Sequence, residues 1–160
     1  MKKRKAVIET ASPRQTRQAG ARLARHLRPG DCLVLLGGFG VGKTTFVKGL
    51  AAGLKVRKPR EVASPSFVML RIYEGRVPLY HFDLYRLKGA LEVRHIGWDE
   101  FTGGDGVTVI EWPQAAERML PEASWRIRFS ILGEAARRIE AQGPKGRAFR
   151  FTASSGRPVS

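Results

Sequence analysis

The chain has 160 residues and a mass of 17.8 kDa, with 29 lysines and arginines against 14 aspartates and glutamates, a formal charge of +15. At 42% hydrophobic and 27% charged residues it has the composition of one compact domain that buries a core without staples, and its lone Cys32 excludes an intrachain disulfide scaffold and suits a reducing compartment. Only Ala6-Val7-Ile8 separates the basic start from Glu9, too short an apolar stretch for a signal peptide or a membrane span, so a cytoplasmic protein without membrane association is expected.

The charge is unevenly placed. Residues 1–30 hold nine basic and one acidic side chain, residues 31–120 twelve and ten, and residues 121–160 eight and three. The middle of the chain is nearly neutral, and the excess at the ends serves either contact with polyanions or solubility, with a solvated surface the favoured reading.

A first strand is expected at residues 5–9. Ser12 then caps a helix with Pro13 at its first position and Gln15 completing a capping box, and Pro29-Gly30 ends it. Helical spacing puts Ala19, Leu23 and Leu27 on one face and Arg14, Arg17, Arg22, Arg25 and Arg28 on the other. The run 31–36 lacks alternation and suits a strand buried on both sides, and 44–54 has helical spacing through Phe46, Val47, Leu50 and Leu54. Residues 66–73 and 76–83 read as strands around Glu74-Gly75, 91–101 as a helix, 106–111 as a buried strand ending in a carboxylate, and 114–120 as a short helix. Residues 125–131 alternate, with Trp125, Ile127, Phe129 and Ile131 inward, and Gly143-Pro144-Lys145-Gly146 looks like a hairpin turn. One domain over residues 1–152 with a disordered tail at 153–160 is expected.

Between the buried strand and its helix lies Gly37-Gly38-Phe39-Gly40-Val41-Gly42-Lys43-Thr44, which satisfies G-x-x-x-x-G-K-[ST] in the context that pattern requires. Phosphate oxygens need short donors converging on one point, and the glycines let the backbone curl tightly around them. The helix that follows adds its positive end. Lys43 is set to reach the β and γ phosphates and the Thr44 hydroxyl to ligate magnesium. No N-K-x-D or D-x-x-G guanine signature accompanies the loop, so ATP is the default nucleotide.

Magnesium chemistry also needs an acid at the end of a neighbouring strand. Asp83 and Glu111 both stand there, with Glu111 favoured for the magnesium shell and Asp83 for positioning water, roles that can be exchanged. His81 reads as a hydrogen-bonded strand residue more than as a base, and Trp112 more as core than as a wall of the site. Arg86 is balanced between stabilising γ-phosphate charge and pairing with a carboxylate.

These segments together resemble the bacterial TsaE (YjeE) ATPases of tRNA threonylcarbamoyladenosine synthesis. The likeness is carried by the phosphate loop with Thr45-Phe46, by Ser64-Pro65-Ser66-Phe67, by Tyr80-His81-Phe82-Asp83-Leu84-Tyr85-Arg86, by Gly97-Trp98-Asp99-Glu100 and by Ile110-Glu111-Trp112-Pro113, in family order over residues 10–133. The resemblance implies an α/β P-loop NTPase-like fold of three layers, a mixed and largely parallel central sheet flanked by helices. It also implies magnesium-dependent ATP hydrolysis, a monomer on its own, and partners TsaB and TsaD, with tRNA contacted indirectly. By analogy residues Gly37 through Thr45 and Trp112 bind the nucleotide, Lys43, Asp83 and Glu111 serve hydrolysis, Thr44 and Glu111 hold the metal, and 64–67 is a nucleotide-responsive loop. Two positions depart from the family pattern: Gly38 stands where an acid is usual, and Ser66 where threonine is usual.

Two other functions compete. A small-molecule kinase shares the loop but needs a lid and an acceptor pocket, and no arginine-rich lid insertion is evident. A non-enzymatic RNA-binding module would use the basic ends, where stacking aromatics are few.

Overall fold

A computed structural model describes residues 5–151. The expected tail at 153–160 lies outside them, as do Lys2, Lys3 and Arg4. The chain forms one seven-stranded sheet with helices on both faces, in the element order β1 (Lys5–Thr10), α1 (Pro13–Ala24), β2 (Cys32–Leu36), α2 (Lys43–Gly53), β3 (Leu70–Tyr73), β4 (Leu79–Asp83), α3 (Ala90–His95), α4 (Trp98–Phe101), β5 (Val107–Glu111), β6 (Trp125–Ile131) and β7 (Arg137–Gln142). Short 3-10 helices add Pro59–Glu61 and Pro113–Met119.

Across the sheet the strands run β1-β7-β6-β2-β5-β4-β3. The four central strands β6, β2, β5 and β4 are parallel, while β1–β7, β7–β6 and β4–β3 are antiparallel, which gives the mixed sheet expected of the family. Parallel central strands need both faces covered. Their side chains divide accordingly: Leu33 and Leu35 of β2, Val107 and Val109 of β5 and Leu79 of β4 pack with Leu23, Phe46 and Leu50 of α1 and α2. Cys32, Ile110, Tyr80 and Phe82 pack on the other face with Val93 and Trp98.

Helix α1 starts where its sequence signals place it. Gln15 N donates to the Ser12 hydroxyl at 3.2 Å, and Gln15 Oε1 accepts from Ala11 N at 2.7 Å, so the box closes one residue earlier than the standard pattern. The expected face holds, with Ala19, Leu23 and Leu27 buried. The helix stops at Ala24, five residues before Pro29. It lies against α2 backbone to backbone: a Cβ on Gly49 would stand 1.9 Å from the Arg17 carbonyl oxygen, and one on Gly20 2.2 Å from that of Phe46.

Several expected elements are redrawn. The strands expected at 66–73 and 76–83 begin only at Leu70 and Leu79, since the segment before Leu70 turns past the site. The helix expected at 91–101 is broken by Gly97, whose φ of 97° no α-helix accepts. The segment 114–120 forms a 3-10 helix. The hairpin turn is not at Gly143–Gly146: β6 and β7 are joined at residues 132–136, where Leu132 N donates to Ala136 O at 3.0 Å. The strand β7 lies before the segment read as its turn, and Ile131, expected inward, is exposed at the strand end.

Candidate functional site

Three parallel strands deliver the site. β2 runs into the phosphate loop, and β4 and β5 end beside it with Asp83 directly opposite Glu111 in the ladder. Strand period 2 puts both carboxylates on the face that Leu79 and Val109 turn toward α2. The loop carries Gly40 at φ 68° and Gly42 at φ 104°, left-handed values that let the chain curl before it enters the helix. Among the described residues, the amides of Gly42, Lys43, Thr44 and Thr45 find no hydrogen-bond partner, so the first turn of α2 presents open donors.

Lys43 is buried, with Nζ donating to Gly37 O at 2.7 Å and lying 3.9 Å from the centroid of the Trp112 indole ring. Burial holds its pKa below the ordinary lysine value, against the opposing pull of Glu111 and Asp83. Both carboxylates are also buried. The Ser64 hydroxyl lies 2.9 Å from Asp83 Oδ2 and 3.2 Å from Glu111 Oε2, and Asp83 Oδ1 accepts from Tyr85 N at 3.0 Å. Glu111 Oε1 has no hydrogen-bond partner among the described residues; His81 Nε2 stands 3.8 Å away. Burial pushes the Glu111 pKa up, but His81, Lys43 and the Ser64 hydroxyl outweigh it, so the carboxyl stays below its ordinary value and ionised.

These groups open onto one cleft of about 420 Å³, lined by residues 39–45 of the loop, by Ser64, Ser66, Asp83, Glu111 and Trp112, and at its rim by Pro13 and Thr16 of α1 and the β6–β7 connection. Gly37 and Gly38, expected at the nucleotide, do not line the cleft, and Gly37 serves as the acceptor for Lys43. Trp112, read as core from its residue pattern and placed at the site by the resemblance, walls the cleft, and its φ of 53° turns the chain sharply after β5. Phe39 and Tyr85, 68% and 56% exposed, close against it with ring centroids 4.5 and 5.0 Å from the indole. Arg86 does not line the cleft; its guanidinium lies 4.3 Å from the centroid of the Phe67 ring. His81 is a fully buried strand residue beneath Glu111 as expected, but neither ring nitrogen has the expected hydrogen-bond partner among the described residues.

Sequence reasoning missed Arg137. From β7 its Nε donates to Val41 O at 3.0 Å and its Nη2 to Gly40 O at 3.2 Å, while Nη1 reaches the carbonyls of Gly133, Glu134 and Ala136. It ties the hairpin to the phosphate loop. No local pattern marks it, because the contact joins residues 96 positions apart.

A buried strand, a glycine loop with open helix amides, a lysine and two strand-end carboxylates are thus joined in one cleft. The same chain matches, over residues 10–139, the family model described as "Threonylcarbamoyl adenosine biosynthesis protein TsaE". It belongs to the TsaE family. The "tRNA threonylcarbamoyladenosine biosynthesis protein TsaE" of Treponema pallidum is 41% identical over 128 residues, covering 80% of this chain and 93% of that protein. The protein of the same description from Bacillus subtilis is 39% identical over 131 residues, 81% of this chain and 80% of that one. A solved structure, "Crystal structure of Bacillus subtilus YdiB", superposes with a TM-score of 0.73 at 32% identity over 90% of this chain and 88% of that one.

The geometry bears on both departures from the TsaE pattern. A Cβ at Gly38 would meet nothing within 4 Å, so packing does not demand glycine there. Ser66 keeps a working hydroxyl, 3.2 Å from that of Ser64. Among the described residues no helix is long and apolar enough to cross a membrane.

Proposed function

We propose that this chain is a magnesium-dependent ATPase that acts in the cytoplasm with TsaB and TsaD homologues in forming threonylcarbamoyladenosine on tRNA. The observation that carries the reading is the convergence of Lys43, Thr44, Asp83 and Glu111 on one cleft. The pathway comes from the family and from the names its relatives carry.

The residues present suit a magnesium nucleotide. Thr44 offers a hydroxyl, and Glu111 an ionised carboxylate whose Oε1 is buried and unpartnered. Such a hydroxyl and carboxylate are a donor set that suits magnesium, which keeps several waters and takes phosphate oxygens as ligands. Thr44 and Glu111 would hold the ion, and its positive charge would offset the charge that develops on the phosphates.

The open amides at the start of α2 receive phosphate oxygens, and Lys43 exchanges Gly37 O for a phosphate oxygen. Asp83, held by Ser64 and the Tyr85 amide, orients a water in line with the γ-phosphorus. Its attack forms the new P–O bond as the β–γ bridging bond breaks, giving ADP and phosphate, and the water's proton leaves with phosphate or through Asp83.

Lys43 and Arg137 supply the only cations on the cleft wall among the described residues, and every nitrogen of the Arg137 guanidinium is engaged with carbonyls. No guanidinium is left to meet γ-phosphate charge, which supports slow turnover alone and acceleration by a partner that supplies one. The test is ATP turnover of the purified chain with and without TsaB and TsaD, for wild type and Glu111→Ala. Slow turnover stimulated by the partners and lost in the variant is expected. Fast turnover indifferent to the partners would remove the partnership, and phosphate recovered on a metabolite would replace hydrolysis with kinase chemistry.

A further inference from the structure

A second concavity, of about 650 Å³, lies between α1, α2 and the Pro59–Glu61 turn, and shares no lining residue with the nucleotide cleft. Four cations line it: Arg14 and Arg17 from α1, Lys48 from α2 and Arg60 from the turn. No carboxylate does. Glu61, the nearest in sequence, is turned to Lys58 at 3.5 Å, and none of the four cations has an acidic partner among the described residues. Residues 1–4 and 152–160 contain no aspartate or glutamate to supply one.

Helix packing brings these like charges together without pairing them. Gly20 and Gly49 bring α1 and α2 into backbone contact, which draws Arg17 and Lys48 to opposite sides of one groove at a repulsive cost. An anion offsets that cost. The rest of the lining is a glutamine, a proline and the small residues Ala21, Gly49 and Ala52. A protein partner would be expected to meet a large apolar centre, which is absent from this lining, whereas nucleic-acid interfaces are polar and strongly positive. The lining is also free of aromatics, so bases have nothing to stack on and the contact is to phosphates.

We propose that this groove is a docking site for an RNA phosphate backbone, read without regard to base sequence. The site goes beyond the ATPase reading and stands apart from it, since none of its lining residues belongs to the nucleotide cleft.

The test is binding of unmodified tRNA by fluorescence anisotropy over a series of salt concentrations. Three proteins are compared: wild type, the groove triple Arg17→Gln/Lys48→Gln/Arg60→Gln, and a control triple Arg71→Gln/Arg94→Gln/Arg118→Gln that removes exposed charges elsewhere. The groove triple is expected to bind at least tenfold more weakly than wild type, with the slope of log K against log salt reduced by about 2 to 3. The control triple should lose far less, and ATP turnover without RNA should be the same in wild type and groove triple. Single substitutions, each checked by thermal melting, keep the comparison valid if the triple folds poorly. Equal losses in both triples would reduce the binding to net charge and overturn the site. So would absent tRNA binding by wild type, a tenfold preference among RNA sequences, or a groove triple that loses poly-glutamate while keeping tRNA.

Discussion

Asp83 and Glu111 stand opposite each other at the ends of adjacent parallel strands, and the Ser64 hydroxyl lies within 3.2 Å of both carboxylates. Two buried acids this close are costly unless something bridges them. A serine has one proton to give, so the bridge satisfies one carboxylate at a time and leaves the pair ready for a cation.

Replacing that serine tests the bridge. Ser64→Ala leaves two buried carboxylates without their shared partner and should destabilise the fold by about 1–3 kcal/mol. Its thermal midpoint should recover more in magnesium and nucleotide than that of wild type, because the metal relieves the same repulsion. Calorimetric melting with and without both ligands measures this; an unchanged midpoint would show that the serine contributes nothing to the pair.

Much of this site could be read in the chain itself, because its parts are local. The loop 37–44 is continuous, and Asp83 and Glu111 each close an apolar run, so strand ends marked by carboxylates were visible. What escaped depends on distant packing. Arg137 matters through the carbonyls of Val41 and Gly40, the former 96 positions earlier in the chain. Only the family resemblance places Trp112 at the nucleotide, since its left-handed turn out of the core is invisible in residue pattern alone. The strand β7 was hidden because Arg137-Arg138-Ile139-Glu140 carries little apolar alternation, the strand's buried residues being Ile139 and the small Ala141. The turn residues after it were more conspicuous than the plain connection before it.

Arg137→Met removes the charged hydrogen bonds that hold Val41 and Gly40 while keeping much of the side-chain bulk. Each such bond to a charged group contributes about 1.5–3 kcal/mol, so the loop should lose its bound shape and the KM for ATP should rise roughly 10- to 100-fold. Arg137→Lys should restore little, since an ammonium cannot span both ends of the clamp. Steady-state kinetics and nucleotide titration measure the effect; an unaltered KM in the Met variant would assign the clamp to the hairpin alone.

Acid should act through Glu111. Its carboxyl is held below the ordinary 4.5 in the folded chain, so the group stabilises the fold above the unfolded value and that contribution disappears as pH falls through the folded one. Glu111→Gln cannot titrate. The difference in denaturant midpoint between wild type and Glu111→Gln should therefore change in the direction of lost wild-type stability as pH is lowered from neutral to below 4.5. A difference independent of pH across that range would contradict the depressed value.

Cys32 sits at the start of β2, 2% exposed, with its thiol pushed up to about 11, chiefly by burial. At neutral pH it holds almost no thiolate and offers no path to a reagent. Labelling by a thiol-specific disulfide reagent should therefore be undetectable in the native chain and complete in denaturant, with an intermediate rate at low denaturant that follows opening of the central sheet. Because β2 leads directly into the phosphate loop, saturating MgATP should slow that labelling further, as a ligand bound only to the folded state must. Rapid labelling of the native chain, or a rate indifferent to MgATP, would separate the loop's occupancy from the stability of the strand that carries it.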